Sequence, residues 1–592
     1  MKQMLDGIKV IRYSLNFFWK NDRLFLLIKL LKVVLDVING FLLVILPGYI
    51  IDSLSIFNNT KMAITYVIVF LISTIIHSLF SGIISKELSI RKIKLNYVLY
   101  QELLTSTSSI DYETFESAQT LDDFELAKKT LLDSHILGAV DHIFALVKNI
   151  LSICSYFYIV FKYSLIFVPL ATMIIITNAF YKNKQEQLYM NIQKDSASLD
   201  RKITYASSSL LDYDFAKEIR LFNLKDFIFE KYNYYMQKMY GLEYKYIKKI
   251  LPLQLTVTLL GAIQIFVCYG SLSYSLHIGE ISTGMFVQYS SAYFALSTAI
   301  TSVVSSSIML KSKWAYISAY ENFLRKTNII FFSKRQKNNI HRKDFSTIEF
   351  RNVSFKYPSS EKYVLKNINI TINANDKIAI VGSNGAGKTT FIKILLGLYK
   401  PTSGDVLIDG SSIYDMNFSD YMDYFSAVFQ DCSTLNYSIA ENIAFSEMFD
   451  ADRMEKILSI VQLKNKMESL SNGLDTFITR DLDENGSDLS GGEKQKIIIS
   501  RALYKNSPIY VFDEPTSALS ANGEYELYKS FSSFTKSKTV FYISHRLAVC
   551  KLCDRVIVFD EGKIIDDGSY EDLSNKQCLF KQMFNAQAEY YK

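Results

Sequence analysis

The sequence predicts an α-helical membrane region followed by an α/β domain that binds a phosphorylated ligand. Three observations indicate this fold class: long apolar stretches fill the first half, strands and helices alternate after Ser346, and a phosphate-loop motif lies within that second half. The 592 residues are 49% hydrophobic with only 23 Gly and 7 Pro, which excludes disordered, collagen-like and Pro-rich chains. A net charge of +6 is too small over this length to indicate nucleic-acid binding, so we expect no nucleic-acid partner.

The apolar stretches have the length that crosses a bilayer. About 20 apolar residues span the hydrocarbon core, and a soluble all-helical domain seldom contains six such runs. The fourth stretch has a short apolar core, so its boundaries are the least defined. The six predicted transmembrane helices are Val33–Ile51, Met62–Ile84, Ile143–Phe161, Leu165–Phe180, Leu253–Ser275 and Met285–Leu310.

The charges between these stretches orient the chain. Basic residues precede the first stretch, as at Lys9 and Arg12, and recur in the long loops after the second and fourth stretches. The alternate loops carry almost no Lys or Arg, so the positive-inside rule places both termini in the cytoplasm. The two long loops have helical periodicity, so we expect the membrane helices to continue into the cytoplasm.

The chain divides into three parts by composition. Residues 1–325 form the predicted transmembrane domain, and a basic polar stretch at residues 326–345 is a predicted linker. From residue 346 to residue 592, apolar strands, turns and amphipathic helices alternate as in an α/β domain.

Polar residues inside the apolar stretches are candidates for a substrate site. Asp36 and Asn39 lie three residues apart, on one face of the first predicted helix. An interfacial position of Asp36 fits the sequence equally well, and His77 is interpreted as packed against its neighbours. The sixth stretch is rich in Ser and Thr, which fits either a polar cavity wall or close helix packing.

A phosphate-binding loop follows the apolar strand Lys377–Val381. It matches the pattern G-x-x-x-x-G-K-[ST] and precedes an amphipathic helix, which is the required context. The glycines let backbone N–H groups approach phosphate oxygens, the lysine reaches the β- and γ-phosphates, and the following threonine is a ligand for Mg²⁺. The predicted loop residues are Gly382, Ser383, Asn384, Gly385, Ala386, Gly387, Lys388, Thr389 and Thr390.

A second apolar strand, Ile509–Phe512, ends in two carboxylates. Asp513 is a candidate to hold Mg²⁺ through water, and Glu514 is a candidate general base for the attacking water. An apolar strand that ends in Asp-Glu is common, so it indicates a nucleotide site only in combination with the phosphate loop.

Between these two motifs lies Leu489-Ser-Gly-Gly-Glu-Lys-Gln495. With this segment the chain resembles an ATP-binding cassette (ABC) transporter, of the exporter type with membrane and nucleotide-binding domains fused, over essentially its whole length. The resemblance implies that Ser490, Gly491 and Gly492 bind the γ-phosphate of an ATP held by the opposite subunit.

The same resemblance assigns single residues elsewhere in the second domain. It implies that Tyr357 stacks on adenine and that Gln430 senses Mg²⁺ and water while contacting the membrane domain. It further implies that His545 contacts the γ-phosphate and assists catalysis, and that Glu484 belongs to a loop that contacts the opposite subunit.

Three positions depart from the family pattern. Glu493 replaces the usual Gln, and Asp483 replaces a usual Gly. Ser520 replaces an Asp that helps to couple the two ATP sites, which puts cooperativity in question but leaves the groups for hydrolysis in place.

The resemblance implies an assembly and a function. Two copies, or one copy and a related half-transporter, would sandwich ATP with Mg²⁺ and move an amphipathic substrate by alternating access. The segment from Ile110 to Ala127 resembles bacterial exporters associated with peptide antibiotics, which favours peptide export across a bacterial plasma membrane. Lipid flipping or multidrug efflux is the alternative, and an importer or a ligand-sensing ATPase is less favoured.

Overall fold

The computed structural model describes residues 2–163, 167–212, 215–326, 345–358, 360–480, 482–515, 529–530, 534–544 and 547–589. They form two compact units. Unit 1 consists of Met1–Ser108 and Asp122–Lys326, and unit 2 consists of Ser109–Leu121 and Thr327–Lys592. The predicted linker lies almost entirely outside the described residues, so the domain boundaries stay a prediction.

The first 326 residues form helices throughout their described length. Several are far longer than a bilayer requires: α3 has 50 residues, which is about 75 Å at 1.5 Å per residue. The expected continuation of the membrane helices beyond their apolar stretches is therefore confirmed. The helices are α1 (Lys2–Asn21), α2 (Arg23–Ser55), α3 (Thr60–Ser109), α4 (Tyr112–Glu116), α5 (Ala118–Leu132), α6 (His135–Tyr163), α7 (Phe167–Leu211), α8 (Ala216–Leu221), α9 (Lys225–His277) and α10 (Thr283–Lys326).

Within the described residues, five helices are long and apolar enough to cross a membrane: α2, α3, α6, α9 and α10. They contain five of the six predicted stretches. The fourth stretch begins at Leu165, outside the described residues, and continues into α7, which soon becomes polar and charged at Lys182. The exact count of six is therefore not confirmed.

The surface of the apolar helices is itself apolar. Large side chains such as Leu79 and Phe266 are 63% and 78% exposed, and many other apolar side chains of these helices are exposed as well. Water-soluble proteins rarely expose apolar patches of this size. Inside unit 1, α10 packs against α6 and α2, and α7 packs against α9. Tyr156, Leu272 and Tyr293 belong to one buried cluster between these helices.

Unit 2 contains two sheets. An antiparallel sheet has the order β2-β1-β4-β5, and a mainly parallel sheet has the order β10-β9-β3-β8-β7-β6. The strands are β1 (Thr347–Phe355), β2 (Leu365–Asn373), β3 (Lys377–Gly382), β4 (Ser403–Ile408), β5 (Ser411–Ser412), β6 (Phe425–Val428), β7 (Ile509–Asp513), β8 (Thr539–Ile543), β9 (Arg555–Asp560) and β10 (Lys563–Gly568).

Helices cover both faces of the parallel sheet. The helices are α11 (Lys388–Leu395), α12 (Phe418–Met422), α13 (Ile439–Ala444), α14 (Ala451–Ile460), α15 (Lys464–Glu468), α16 (Gly491–Lys505), α17 (Tyr570–Asn575) and α18 (Leu579–Glu589).

Alternation along β3 shows which helix lies on which face. Ile378 and Ile380 belong to the same buried cluster as Phe391 of α11. Ala379 and Val381 belong to the other cluster, with Ile497 of α16 and the residues of α14. Since neighbouring side chains of a strand point to opposite faces, α11 and α16 pack on opposite faces of the sheet.

Candidate functional site

Most of the predicted site residues lie at the carboxyl ends of four parallel strands. β3, β8, β7 and β6 are adjacent and parallel, so their carboxyl ends lie at one edge of the sheet. The phosphate loop follows β3, Asp513 ends β7, and the exposed Gln430 follows β6. His545 would follow β8, but it lies outside the described residues.

The phosphate loop needs its glycines for backbone geometry. Gly382, Gly385 and Gly387 have φ values of 150°, 78° and 104°, a region that L side chains rarely adopt. At Gly382 there is also no room, because a Cβ atom would lie 2.2 Å from the carbonyl oxygen of Phe559 in β9. A Cβ atom at Gly385 would meet nothing within 4 Å.

Lys388 is held over this loop. Its ammonium donates hydrogen bonds of 2.9 Å to the carbonyl oxygens of Gly382 and Ser383, and the residue is 7% exposed. Burial lowers the pKa of Lys388, and the carboxylates of Glu514 and Asp513 oppose that shift. The Lys388 ammonium therefore lies between the loop and the two carboxylates. A bound phosphate would add negative charge beside this buried cation and stabilise its protonated form.

The start of α11 joins the loop to its neighbours. The hydroxyl of Thr389 is hydrogen-bonded to the carboxylate of Asp513. The hydroxyl oxygens of Thr390 and Tyr357 are 2.9 Å apart, so the loop and the predicted adenine-stacking ring are in direct contact.

Asp513 is a buried carboxyl group, only 4% exposed. Burial raises its pKa to about 6; Glu514 and Asp431 add to the rise, while Thr389 and Lys388 oppose it. A bound cation would favour the ionised form of such a group.

Glu514 has an unusual backbone conformation. Its φ is 47°, in the left-handed region, and its N–H donates to the carbonyl oxygen of Ile543 at 2.9 Å. Non-glycine residues in this region cluster at functional sites, where the surrounding structure has to hold them. The hydrogen bond to β8 fixes where the Glu514 side chain leaves the backbone.

The oxygen donors at this edge suit Mg²⁺. Thr389 offers a hydroxyl, Asp513 a carboxylate and Gln430 an amide oxygen, and Mg²⁺ prefers a few such ligands completed by water and phosphate. Across the described residues, no group of three or more His, Cys, Asp or Glu side chains is arranged to hold a metal ion. The hydroxyl, carboxylate and amide oxygens of Thr389, Asp513 and Gln430 fit a metal that also binds phosphate oxygens and water.

The segment around Ser490 is a helix start. The Ser490 hydroxyl accepts from the N–H of Glu493 at 3.3 Å, and the Glu493 carboxylate accepts from the N–H of Ser490 at 2.8 Å. This reciprocal capping box explains why Glu serves at position 493, since Glu and Gln both complete it. Because α16 and α11 pack on opposite faces of the sheet, a single chain does not pack this segment against its own phosphate-loop helix.

Asp483 is accommodated without strain. Its φ lies outside the left-handed region, so this turn has no need of glycine, and its carboxylate accepts from the N–H of Asn485 at 2.9 Å. Glu484 is exposed, and Ser520 lies outside the described residues.

In unit 1, the Asp36 carboxylate contacts His77 and Lys148, neither of which the sequence pattern paired with it. Its carboxylate lies 3.0 Å from His77 Nε2 and 3.0 Å from Lys148 Nζ. Asn39 has a buried side-chain oxygen without a hydrogen-bond partner. Lys148 was missed because it lies 112 positions from Asp36 on another helix, and no local spacing signals such a pair.

Comparison with known proteins extends these observations. A family model described as "ABC transporter" matches residues 365–517. The subtilin transport ATP-binding protein SpaT of Bacillus subtilis is 31% identical over 86% of this chain and 83% of its own length. The nisin transport ATP-binding protein NisT of Lactococcus lactis subsp. lactis is 26% identical over 88% and 87%.

Two further matches bear on function and fold. An ATP-dependent lipid A-core flippase of Haemophilus ducreyi is 36% identical over 40% of this chain and 41% of its own length. A solved structure of a bacterial Atm1-family ABC exporter with ATP bound superposes with a TM-score of 0.80, at 20% identity, over 96% of this chain and 99% of that one. At this identity the superposition shows the fold alone.

Proposed function

Because this chain belongs to the ABC transporter family, with membrane helices and a nucleotide-binding domain in one polypeptide, we propose that it exports a peptide or another amphipathic compound. The family membership establishes ATP hydrolysis coupled to export. The class of cargo, the roles of single residues and the composition of the assembly belong to the proposal.

One observation supports a peptide as the exported cargo. The match to the subtilin transport protein covers 86% of this chain, so it necessarily includes most of the 326 residues that hold the membrane helices. We propose that the membrane helices, rather than the ATP-hydrolysing domain, select the cargo. The match to the nisin transport protein is similarly long.

Lipid flipping is the second candidate. The match to the lipid A-core flippase has the higher identity, 36%, but it covers only 40% of this chain. Such a length is too short to relate both units, so it supports the shared ATPase more than a shared cargo.

The residues at the sheet edge have defined roles in this proposal. The backbone N–H groups of Gly382–Thr390 and the ammonium of Lys388 bind the phosphates, and Tyr357 stacks on adenine. Glu514 accepts a proton from the attacking water, and His545 contacts the γ-phosphate. Thr389, Gln430 and Asp513 hold Mg²⁺, which when bound neutralises charge on the phosphates.

A second chain completes each site. Ser490, Gly491 and Gly492 lead into α16, which packs on the face of the sheet opposite α11. We propose that these residues close on the phosphate loop of the partner, so that ATP lies between two copies of this chain or between this chain and a related half-transporter.

The membrane arrangement follows the charges. We propose six transmembrane helices, the fourth at the start of α7, with both termini in the cytoplasm of a bacterial cell. The proposed boundaries are residues 1–325 for the membrane domain, 326–345 for the linker and 346–592 for the nucleotide-binding domain.

Reconstitution tests the cargo. Inverted vesicles containing the purified protein are expected to accumulate an amphipathic peptide when ATP is supplied, and the same peptide is expected to stimulate hydrolysis. Transbilayer movement of a labelled lipid without peptide accumulation would favour the flippase. Peptide-stimulated hydrolysis without any flux would favour a sensor, and ATP-driven loss of peptide from the vesicles would favour an importer.

A substitution tests the catalytic assignment. Glu514→Gln removes the proposed base but keeps the size of the side chain, and it is expected to lower kcat by about 100-fold or more, as for the loss of a general base. Binding of a fluorescent ATP analogue is expected to stay within about twofold, since Gln removes no phosphate contact. Hydrolysis at the original rate would contradict the role of Glu514.

A further inference from the structure

The short helix α4 belongs to the nucleotide-binding unit, although the chain enters it from the long membrane helix α3. Its segment, Ser109–Leu121, is part of unit 2. Two residues of α4 contact the side chain of Tyr399, which follows α11 and is 1% exposed.

On the α4 side, Tyr399 is held by a hydrogen bond and by ring packing. Its hydroxyl donates to the carboxylate of Glu116, and the ring of Tyr112 meets it edge-on with centroids 5.6 Å apart and planes at 84°. The ammonium of Lys393 lies over both rings, at 5.5 and 5.6 Å. Burial raises the pKa of Tyr399, so the hydroxyl stays protonated and keeps donating to Glu116.

On the nucleotide side, the same ring contacts the predicted adenine-stacking residue. Tyr357 and Tyr399 meet edge-to-face, with centroids 5.3 Å apart and planes at 88°. Phe355 packs against both rings, at 5.1 and 5.3 Å. Tyr357 is also within hydrogen-bond distance of Thr390 in the phosphate loop, so little freedom is left in this cluster.

We propose that Tyr399 is a positioning residue that makes α4 respond to the base of the bound nucleotide. A base stacked on the face of Tyr357 sets the position of that ring. Because the Tyr357 ring contacts Tyr399, any displacement of Tyr357 moves the Tyr399 hydroxyl relative to the Glu116 carboxylate. This inference rests on the proposed nucleotide site. Beyond that site, we infer that the response of α4 requires the base of the nucleotide and that the phosphates alone do not produce it.

Hydrogen exchange of the full-length protein in lipid nanodiscs tests the link. The non-hydrolysable analogue AMP-PNP is expected to slow exchange both in residues 382–390 and in residues 109–121. Inorganic tripolyphosphate, which has no base, is expected to slow exchange in residues 382–390 alone. Equal slowing of residues 109–121 by tripolyphosphate would overturn the proposal.

Tyr399→Phe keeps the ring but removes the hydroxyl. The effect of AMP-PNP on residues 109–121 is expected to fall by about tenfold, the factor for losing one hydrogen bond to a carboxylate, while residues 382–390 respond as before. The matched control is Tyr421→Phe, another fully buried tyrosine of the same cluster, whose hydroxyl donates to the carbonyl oxygen of Leu395 at 2.5 Å. It should leave the response of residues 109–121 unchanged.

A second substitution approaches the link from the other side. Glu116→Gln weakens the acceptor without touching the aromatic cluster, so it should reproduce the effect of Tyr399→Phe, and the double variant should be no worse than either single one. Additive effects, or wild-type behaviour of Tyr399→Phe, would overturn the link. If AMP-PNP fails to protect residues 382–390 in the wild type, the nucleotide site itself is wrong and this inference falls with it.

Discussion

Two glycines of the phosphate loop separate the requirements of the fold from those of the ligand. At Gly382 the φ of 150° disfavours any L side chain, and an added Cβ atom would lie 2.2 Å from the carbonyl oxygen of Phe559. An ordinary contact needs about 3.4 Å, so β3 and β9 would have to separate by about 1 Å. Backbone strain of about 1–3 kcal/mol adds to the damage to this strand pair, so Gly382→Ala should destabilise unit 2 by about 3 kcal/mol.

Gly385→Ala is the matched control. Its φ of 78° carries a similar class of backbone strain, but the added Cβ atom meets nothing within 4 Å. The expected cost is only about 1–2 kcal/mol. Because that Cβ atom points into open space at the loop, we expect Gly385→Ala to weaken nucleotide binding more than it weakens folding.

Thermal unfolding and nucleotide binding, measured together, distinguish the two variants. Gly382→Ala should lower the apparent Tm of unit 2 by about 6–12 °C, and Gly385→Ala by about half as much. Gly385→Ala should nevertheless lose at least as much affinity for a fluorescent ATP analogue. A wild-type Tm for Gly382→Ala would refute the close packing of the loop on β9.

Three further predictions concern charge and helix capping. Below pH 6 the Asp513 carboxyl, whose pKa burial raises to about 6, becomes protonated, so Mg²⁺-dependent ATP binding should weaken as pH falls through 6; in a binding titration, Asp513→Asn should reduce this pH dependence to the part that the terminal phosphate of ATP contributes by itself. Glu493→Gln should leave the apparent Tm within about 1 °C because the capping box survives, whereas Glu493→Ala should cost about 1 kcal/mol of stability. Ser520→Asp should change the cooperativity of ATP hydrolysis, and an identical ATP dependence would contradict the proposed coupling role of that position.

Local pattern was sufficient for the centre of the nucleotide site. The strand before Gly382, the helix after it and the strand that ends at Asp513 all appear where their apolar spacing placed them. The parallel order of β3, β8 and β7 then brings the motifs to one edge, because parallel strands share the direction of their carboxyl ends.

Contacts between distant positions could not be predicted in this way. Tyr399 and Glu116 are 283 positions apart, and neither belongs to a motif. Lys148 and Asp36 are close only because α6 packs against α2. The fourth membrane stretch stays a prediction, since it begins outside the described residues, its apolar core is short and polar residues follow early in α7.

Cross-linking between phosphate loop and signature segment tests the central claim most directly. Ser383 and Ser490 are both exposed, and each would be replaced by Cys after Cys154, the one exposed native cysteine, is changed to Ser. We predict that AMP-PNP promotes a disulfide-linked dimer of about twice 68.0 kDa, with no link inside one chain. A stable monomer that hydrolyses ATP at the full rate, or a link formed within a single chain, would contradict the shared site.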